Sequence, residues 1–438
     1  MRNDIVHIGA GELTYEIRAI VEIAETLQRM GIKTNMENIG DPVAKGEKIP
    51  KWMKKVVAEL VMEDCSYGYC PTKGVLETRE FLAARTNKRG KAQITAEDIL
   101  FFNGLGDAIQ KVYGFLRREA RVIGPSPTYS THSSAEAAHA GQRPISYRLD
   151  PDNNWYPDLD DLRLSVKYNP AVSGILIINP DNPTGSVYPE RILREMIAIA
   201  REYDLFVICD EVYLNIVYNG QSTKPLSDLI GEIPGMALRG ISKEVPWPGA
   251  RCGWAEIYNA DRDPVFKRYV QSILNAKMVE VCSTTLPQKA IPRILEHPEY
   301  PKYLDERRAR YENCSNTAYE ILKDVPGIKV NRANGAFYMS VVIKTEMLNH
   351  RQTLPIENTE VRNLVERLVG QPGVSLDKRF VYYLLAATGI CVVPLSSFCT
   401  RELGFRITLL ERDEKEFTRI FHTIAESISA YLNSSTPG

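Results

Sequence analysis

From about residue 75 to 330, short β-rich apolar runs alternate with amphipathic helical stretches, at 99–102, 121–124, 174–178, 205–209, 237–241 and 252–257. That alternation predicts a mostly parallel sheet covered by helices on both faces. Ligands of such sheets bind beyond the C-terminal ends of the strands. The segments expected there are 104–106, 125–129, 179–185, 210–213 and 242–243, and they hold most of the chain's chemically suggestive residues.

Outside that region the pattern changes. Residues 11–30 carry apolar positions at helical spacing and stop at Gly31, which predicts an N-terminal helical arm. The last hundred residues predict strands at 336–343, 390–394 and 405–410 and a closing helix at 414–432, a smaller α+β unit that the arm is expected to join. The expected organisation is 1–70 as arm and part of the small domain, 71–330 as the large domain, and 331–438 as the C-terminal small domain. With 438 residues, 44% of them hydrophobic, the chain has apolar material for two such cores.

A formal net charge of -1 provides no basic field to recommend nucleic acid or an anionic membrane. No apolar run reaches the roughly 20 residues needed to span a bilayer. The first residues lack the apolar core of a signal peptide, so the cytoplasm is the expected compartment. Eight cysteines without paired spacings read as reduced thiols, most of them in the core, and six histidines without HxxxH or HxH spacing offer no metal site.

The residues at the strand ends match the needs of a pyridoxal-phosphate pocket: a lysine amine for a Schiff base, an acid to keep the ring nitrogen protonated, and amides and cations for the phosphate. Lys243 follows Gly240, Ile241 and Ser242, and Pro246, Trp247, Pro248 and Gly249 form a stiff turn that returns Arg251 towards it. A lone lysine is ordinarily a solvated surface charge. Its company makes this one the Schiff-base candidate. Asp210 ends an apolar run, where a buried carboxylate needs a cationic partner such as a pyridinium nitrogen.

Asn182, within Asn179-Pro180-Asp181-Asn182-Pro183-Thr184-Gly185, and Tyr213 can hydrogen-bond a phenolic oxygen on the ring. Their plainer readings are a turn residue and a core aromatic. Gly104, Leu105 and Gly106 open a helix whose free amides suit a phosphate, and Arg251 adds a planar cationic fork. A dinucleotide fingerprint fits poorly, because Ile109 stands where its third glycine belongs.

In order and spacing these motifs make the chain similar to the class I/II aminotransferases, fold-type I pyridoxal-phosphate enzymes, from Asn38-Ile39-Gly40-Asp41-Pro42 to Phe405-Arg406-Ile407-Thr408. The resemblance implies a mostly parallel, seven-stranded-type sheet between helices with a smaller α+β domain. It also implies pyridoxal 5'-phosphate as cofactor, a homodimer, and amino transfer between an L-amino acid and a 2-oxo acid. It gives Lys243 the Schiff base and the proton shuttle, Asp210 the ring nitrogen, and Asn182 and Tyr213 the ring oxygen. Arg251 and the amides of 104–106 take the phosphate. It adds Tyr129 as the aromatic stacked on the ring and Tyr69 as a tyrosine that crosses to the neighbouring subunit's phosphate. Arg406 becomes the clamp on the substrate α-carboxylate, with Asn182 and the Gly40 backbone beside it.

The chain also departs from the family's pattern. Gly240 replaces a phosphate-binding serine, a contact Ser242 is expected to supply. Pro394-Leu395-Ser396-Ser397-Phe398-Cys399 has lost both glycines of the usual segment, and 345–378 lacks a counterpart in minimal members and reads as a surface insertion rather than a lid or dimer contact. The segment 389–394 resembles the alanine-type members, and Gly106 stands where some dicarboxylate enzymes carry a cation, which argues against an enzyme restricted to dicarboxylates. Two alternatives stand beside transamination. A carbon–sulfur lyase or a cyclopropane-forming synthase uses the same fold, whereas a ligand-sensing regulator needs a DNA-binding module for which there is no room before residue 11.

Overall fold

The computed structural model describes residues 5–13 and 16–434, with the backbone alone for 16–18. Fourteen strands are found among them: β1 (Asn35–Met36), β2 (Ile99–Phe102), β3 (Arg121–Ser126), β4 (Ser146–Asp150), β5 (Tyr156–Pro157), β6 (Val172–Ile178), β7 (Phe206–Asp210), β8 (Gly235–Gly240), β9 (Gly253–Tyr258), β10 (Ile328–Val330), β11 (Tyr338–Ile343), β12 (Ile390–Cys391), β13 (Val393–Pro394) and β14 (Gly404–Thr408). The large sheet has the order β2-β9-β8-β7-β6-β3-β4-β5. Seven strands form its body, and the two-residue β5 pairs antiparallel with β4 at one edge. The centre is parallel, from β4 through β3, β6 and β7 to β8.

Strand β9 alone runs against both of its neighbours. The C-terminal ends of β2, β3, β6, β7 and β8 therefore share one edge with the N-terminal end of β9. Successive side chains of a strand face opposite sides, and the core follows that rule. Ile175, Ile177, Val207 and Cys209 pack into one apolar cluster, while Leu176, Ile178 and Ile208 pack into the cluster on the other face. Both faces are thus buried, which is why these strands read as continuous apolar runs. Strands β4 and β5 lie outside the predicted runs because β4, next to the edge, has an alternating, partly exposed pattern and β5 is only two residues long.

The smaller sheet is antiparallel, in the order β10-β11-β14-β13. The expected single strand at 390–394 is two strands with different partners: β12 pairs with β1, and β13 pairs with β14. The first of these pairings joins the N-terminal segment to the C-terminal region. The arm's helix runs Glu16–Arg29 and is followed by Gly31 at φ +90. The closing helix spans Glu414–Asn433.

The segment 345–378 lies at the surface, with more than half of its residues exposed, but it is also anchored in the core. Leu354, Ile356, Val361 and Val365 are buried in the apolar cluster of the smaller sheet. The fully buried Gln352 donates to Met347 O at 2.7 Å and accepts from Asn349 N at 2.8 Å, satisfying backbone groups that a buried loop would otherwise strand. All eight cysteines are free thiols, but only Cys209, Cys252, Cys314 and Cys391 are buried, so half rather than most are core residues. Among the described residues, no helix is long and apolar enough to cross a membrane.

Candidate active site

A cavity of about 740 Å³ opens at the shared strand edge, and eleven of the residues singled out in the sequence line it: Gly40, Leu105, Gly106, Tyr129, Asn182, Asp210, Tyr213, Ser242, Lys243, Arg251 and Arg406. Parallel strands deliver most of them. Arg251 arrives differently: because β9 is reversed, the residue that enters it meets the ends of the others. Gly104 lies just behind the wall, and Tyr69 is elsewhere, 86% exposed on the surface of the protomer.

One end of the cavity fits a phosphate. Gly104 takes φ +86 as N-cap of the helix Leu105–Gly114, and no side chain caps that terminus. The amides of its first turn are therefore available to an anion. A Cβ at Gly104 would lie 2.6 Å from Arg251 Nη2, so only glycine lets the guanidinium close over the turn. Asp107, in the same first turn, accepts from Asn103 N at 2.9 Å and pairs with Lys111. Burial raises its pKa, but the Lys111 and Asn103 hydrogen bonds and the Lys277 charge outweigh burial and leave it lowered. A Cβ at Gly240 would stand 3.2 Å from Cys252 O, so a serine there would crowd β9; Ser242 is among the residues that line the cavity.

Within the protein, the side-chain partner of Asp210 among the described residues is His132, whose Nε2 is 3.1 Å from Asp210 Oδ2, while Val212 N donates to Oδ1 at 3.1 Å. His132 Nδ1 is 3.3 Å from Tyr113 OH, which burial keeps protonated by pushing its pKa well up. His132 was missed. The available signal was its place three residues after Tyr129, one turn into the helix Ser130–Ala140. Tyr129 is half-buried, edge-on to His132 at 6.3 Å between centroids.

Lys243 Nζ donates to Gly40 O at 2.6 Å and lies 5.7 Å from the Phe337 ring centroid. Tyr213 OH donates to Tyr338 OH at 3.1 Å, and burial together with Tyr338 pushes its pKa well above a phenol's. Tyr338 also explains the glycine at 40, where a Cβ would come within 1.8 Å of the Tyr338 hydroxyl. That residue too was missed, because nothing in a β-strand reading of 336–343 marks one of its aromatics as facing a site.

Arg406 is 2% exposed in β14, in register with Ser340 of β11 and Val393 of β13. Its Nη1 donates to Asn182 Oδ1 at 3.1 Å and its Nη2 donates to Asn38 O, while Nε has no hydrogen-bond partner among the described residues. The guanidinium lies over Tyr338 at 4.5 Å and Phe398 at 5.0 Å. Neither acid beyond the strand reaches it: Glu411 lies 3.6 Å from Lys45, and Asp413 caps the closing helix. The hydrogen-bond acceptors that hold this buried guanidinium are thus neutral. In the segment that lost its glycines, Cys399 takes the left-handed conformation at φ +55, and Ser126 Oγ donates to its carbonyl at 2.8 Å.

The pocket therefore joins an uncapped helix N-terminus, a buried acid, a lysine amine and a buried arginine. Comparisons with known proteins agree with that chemistry. The family model of the aminotransferases of class I and II matches residues 37–424. The chain is similar to an uncharacterized aminotransferase of Methanocaldococcus jannaschii, 62% identical over 434 residues, which are 99% of this chain and 100% of that one. It is 29% identical to a glutamate-pyruvate aminotransferase of Escherichia coli over 339 residues, 76% of this chain and 82% of the other. Its fold matches the alanine aminotransferase of Pyrococcus furiosus with a TM-score of 0.81 and 27% identity, over 97% of this chain and 99% of that one. With the family model spanning most of the chain and the fold shared throughout, the protein belongs to the class I and II aminotransferases, which are pyridoxal-phosphate-dependent transaminases.

Proposed function

We propose that this transaminase moves an amino group between an L-amino acid and a 2-oxo acid with Lys243 as the residue that binds pyridoxal 5'-phosphate covalently. The observation that carries this reading is the position of the Lys243 amine. It is half-buried, held on a backbone carbonyl rather than a carboxylate, in one cavity with Asp210 and Arg406. When bound, the cofactor supplies an aldehyde for amines and a ring that takes up the electron pair released at Cα.

The protein's own residues do the rest. Asp210, oriented by His132, would keep a proton on the ring nitrogen, and Tyr213 and Asn182 would hydrogen-bond the ring oxygen. Tyr129 covers the ring. Arg251, Ser242 and the amides of Leu105 and Gly106 take the phosphate. The Lys243 amine would be the base that takes the proton from the substrate Cα. Arg406 and the Gly40 backbone hold the α-carboxylate.

Tyr69 completes the site in a homodimer by reaching the neighbouring subunit's phosphate. In support, it stands among other exposed apolar side chains, Met62 and Tyr67, and Thr285 Oγ1 ties the adjoining Gly68 carbonyl down at 2.8 Å. The three-part division at residues 70 and 330 is supported by the larger sheet's strands all lying between 99 and 258. A cytoplasmic location is the setting we infer.

Glutamate and pyruvate are the first substrates to test, on the strength of the relatives' names. A panel of amino donors against pyruvate, 2-oxoglutarate and oxaloacetate, with hydride reduction and peptide mapping, decides the proposal. Turnover that depends on a 2-oxo acid, with label on Lys243, supports it. Label on another lysine overturns the assignment.

A further inference from the structure

Lys243 is gripped from two directions. Its amine donates to Gly40 O at 2.6 Å, while its own carbonyl accepts from Arg307 Nη1 at 2.9 Å and the carbonyl of Glu244 accepts from the same nitrogen at 2.7 Å. Arg307 belongs to the helix Tyr300–Leu322 and is 4% exposed. Its Nε lies 2.7 Å from Glu47 Oε1. Glu47 in turn closes the loop that begins after Gly40, since its N–H donates to Pro42 O at 2.8 Å and Lys45 N donates to Asp41 O at 3.2 Å. The chain of contacts is a closed ring: lysine amine, Gly40, loop 41–47, Glu47, Arg307, lysine carbonyl.

We propose that the Glu47–Arg307 ion pair is a positioning clamp for Lys243, fixing the lysine amine against the Gly40 carbonyl by tying the loop after Gly40 to the lysine's own backbone. The inference rests on the proposed role of Lys243 as the attachment residue. Both partners are held firmly enough to act this way. Glu47 also accepts from Tyr303 OH at 2.8 Å and Tyr311 OH at 3.4 Å, and Arg307 Nη2 donates to Tyr311 OH at 2.9 Å. Burial pushes the Glu47 carboxyl up, but the charge of Arg307 and the Tyr303 hydrogen bond outweigh burial and hold it below the usual range. The bland reading is a structural ion pair that anchors a long helix. Against it, a buried ion pair adds little net stability relative to apolar residues of the same volume, whereas these hydrogen bonds land on two carbonyls at the reactive side chain.

The two readings separate in a double variant. Glu47→Gln with Arg307→Met removes both charges of the pair; Arg310, whose Nη2 lies 3.6 Å from Glu47 Oε2, loses that carboxylate but is 21% exposed, so the melting temperature should fall only slightly. A merely structural pair then leaves function near wild type too. The clamp predicts otherwise: apoprotein of the double variant should capture pyridoxal phosphate on Lys243, followed by absorbance and by hydride trapping, about 10- to 100-fold more slowly. Capture at the wild-type rate by the folded double variant overturns the clamp. Should that variant fail to fold, Arg307→Lys is the second arm, because it keeps the charge opposite Glu47 but loses the fork. Slowed capture at an unchanged melting temperature supports the clamp, and unchanged capture rejects it. If wild-type protein is labelled at a lysine other than Lys243, the functional proposal fails and not merely the clamp.

Discussion

His132 Nε2 lies 3.1 Å from Asp210 Oδ2, and both side chains are almost fully buried. The second carboxylate oxygen takes a backbone amide from Val212. Asp210 is thus aimed into the cavity by two fixed partners, one of which is a single imidazole. His132→Ala should leave the carboxylate short of a partner and destabilise the protein by about 1–3 kcal/mol. Asp210→Asn, close to isosteric, should cost far less stability while slowing the half-reaction by orders of magnitude. Thermal melts and single-turnover rates on both variants check this. Normal half-reaction rates in Asp210→Asn would mean that another group protonates the ring.

Gly40→Ala places a methyl 1.8 Å from the Tyr338 hydroxyl and 2.8 Å from its Cζ. The loop must then retreat from Lys243, and kcat/KM should fall by about 10- to 100-fold. Adding Tyr338→Phe removes the nearest atom but not the ring, so it should restore part of the loss. Steady-state kinetics of the single and double variants give the answer, and no recovery would place the damage elsewhere.

Arg406→Lys keeps the charge but loses the planar fork. The KM values for amino acid and 2-oxo acid should both rise, by roughly 10-fold or more, with the absorbance of the resting enzyme unchanged. Comparing α-amino acids with the matching simple amines tests the carboxylate specifically. An undiminished preference for the carboxylated donor in the variant removes Arg406 from the clamp.

Asp181 turns the loop before Asn182, with Thr184 N and Oγ1 donating to its Oδ2 at 3.1 and 2.5 Å. Burial pushes its carboxyl up to about 7, against the pull of these hydrogen bonds. The native state therefore binds a proton that the unfolded chain, titrating near 3.9, releases earlier. This contribution is full below that value and is lost as pH rises through about 7. Asp181→Asn has no proton to lose. Its melting temperature relative to wild-type apoprotein should improve between about pH 5 and pH 8, and a difference that stays constant with pH refutes the titration.

The sequence by itself determined the alternation that makes the large sheet. Its strands are buried on both faces, so each reads as an apolar run whatever its neighbours are. It also marked the residues after the strand ends, because a parallel sheet brings those ends to one edge: Leu105, Asp210, Ser242 and Lys243 share a cavity for that reason. What it left open depends on contacts between distant segments. Nothing local tells His132 that Asp210, 78 residues on, will stand beside it, nor tells Tyr338 that Gly40 will have no room for a methyl. The run 390–394 kept its strand character but divided between two partners, since pairing is chosen by the sheets that meet there. Segment 345–378 read as surface because its loop is polar and proline-bearing, yet Gln352 satisfies the buried backbone and lets Leu354 and Ile356 enter the core. Propensity and pattern fix what a segment can be; which buried group answers which is set only when the whole chain has packed, because an unpaired polar atom is costly wherever it ends up.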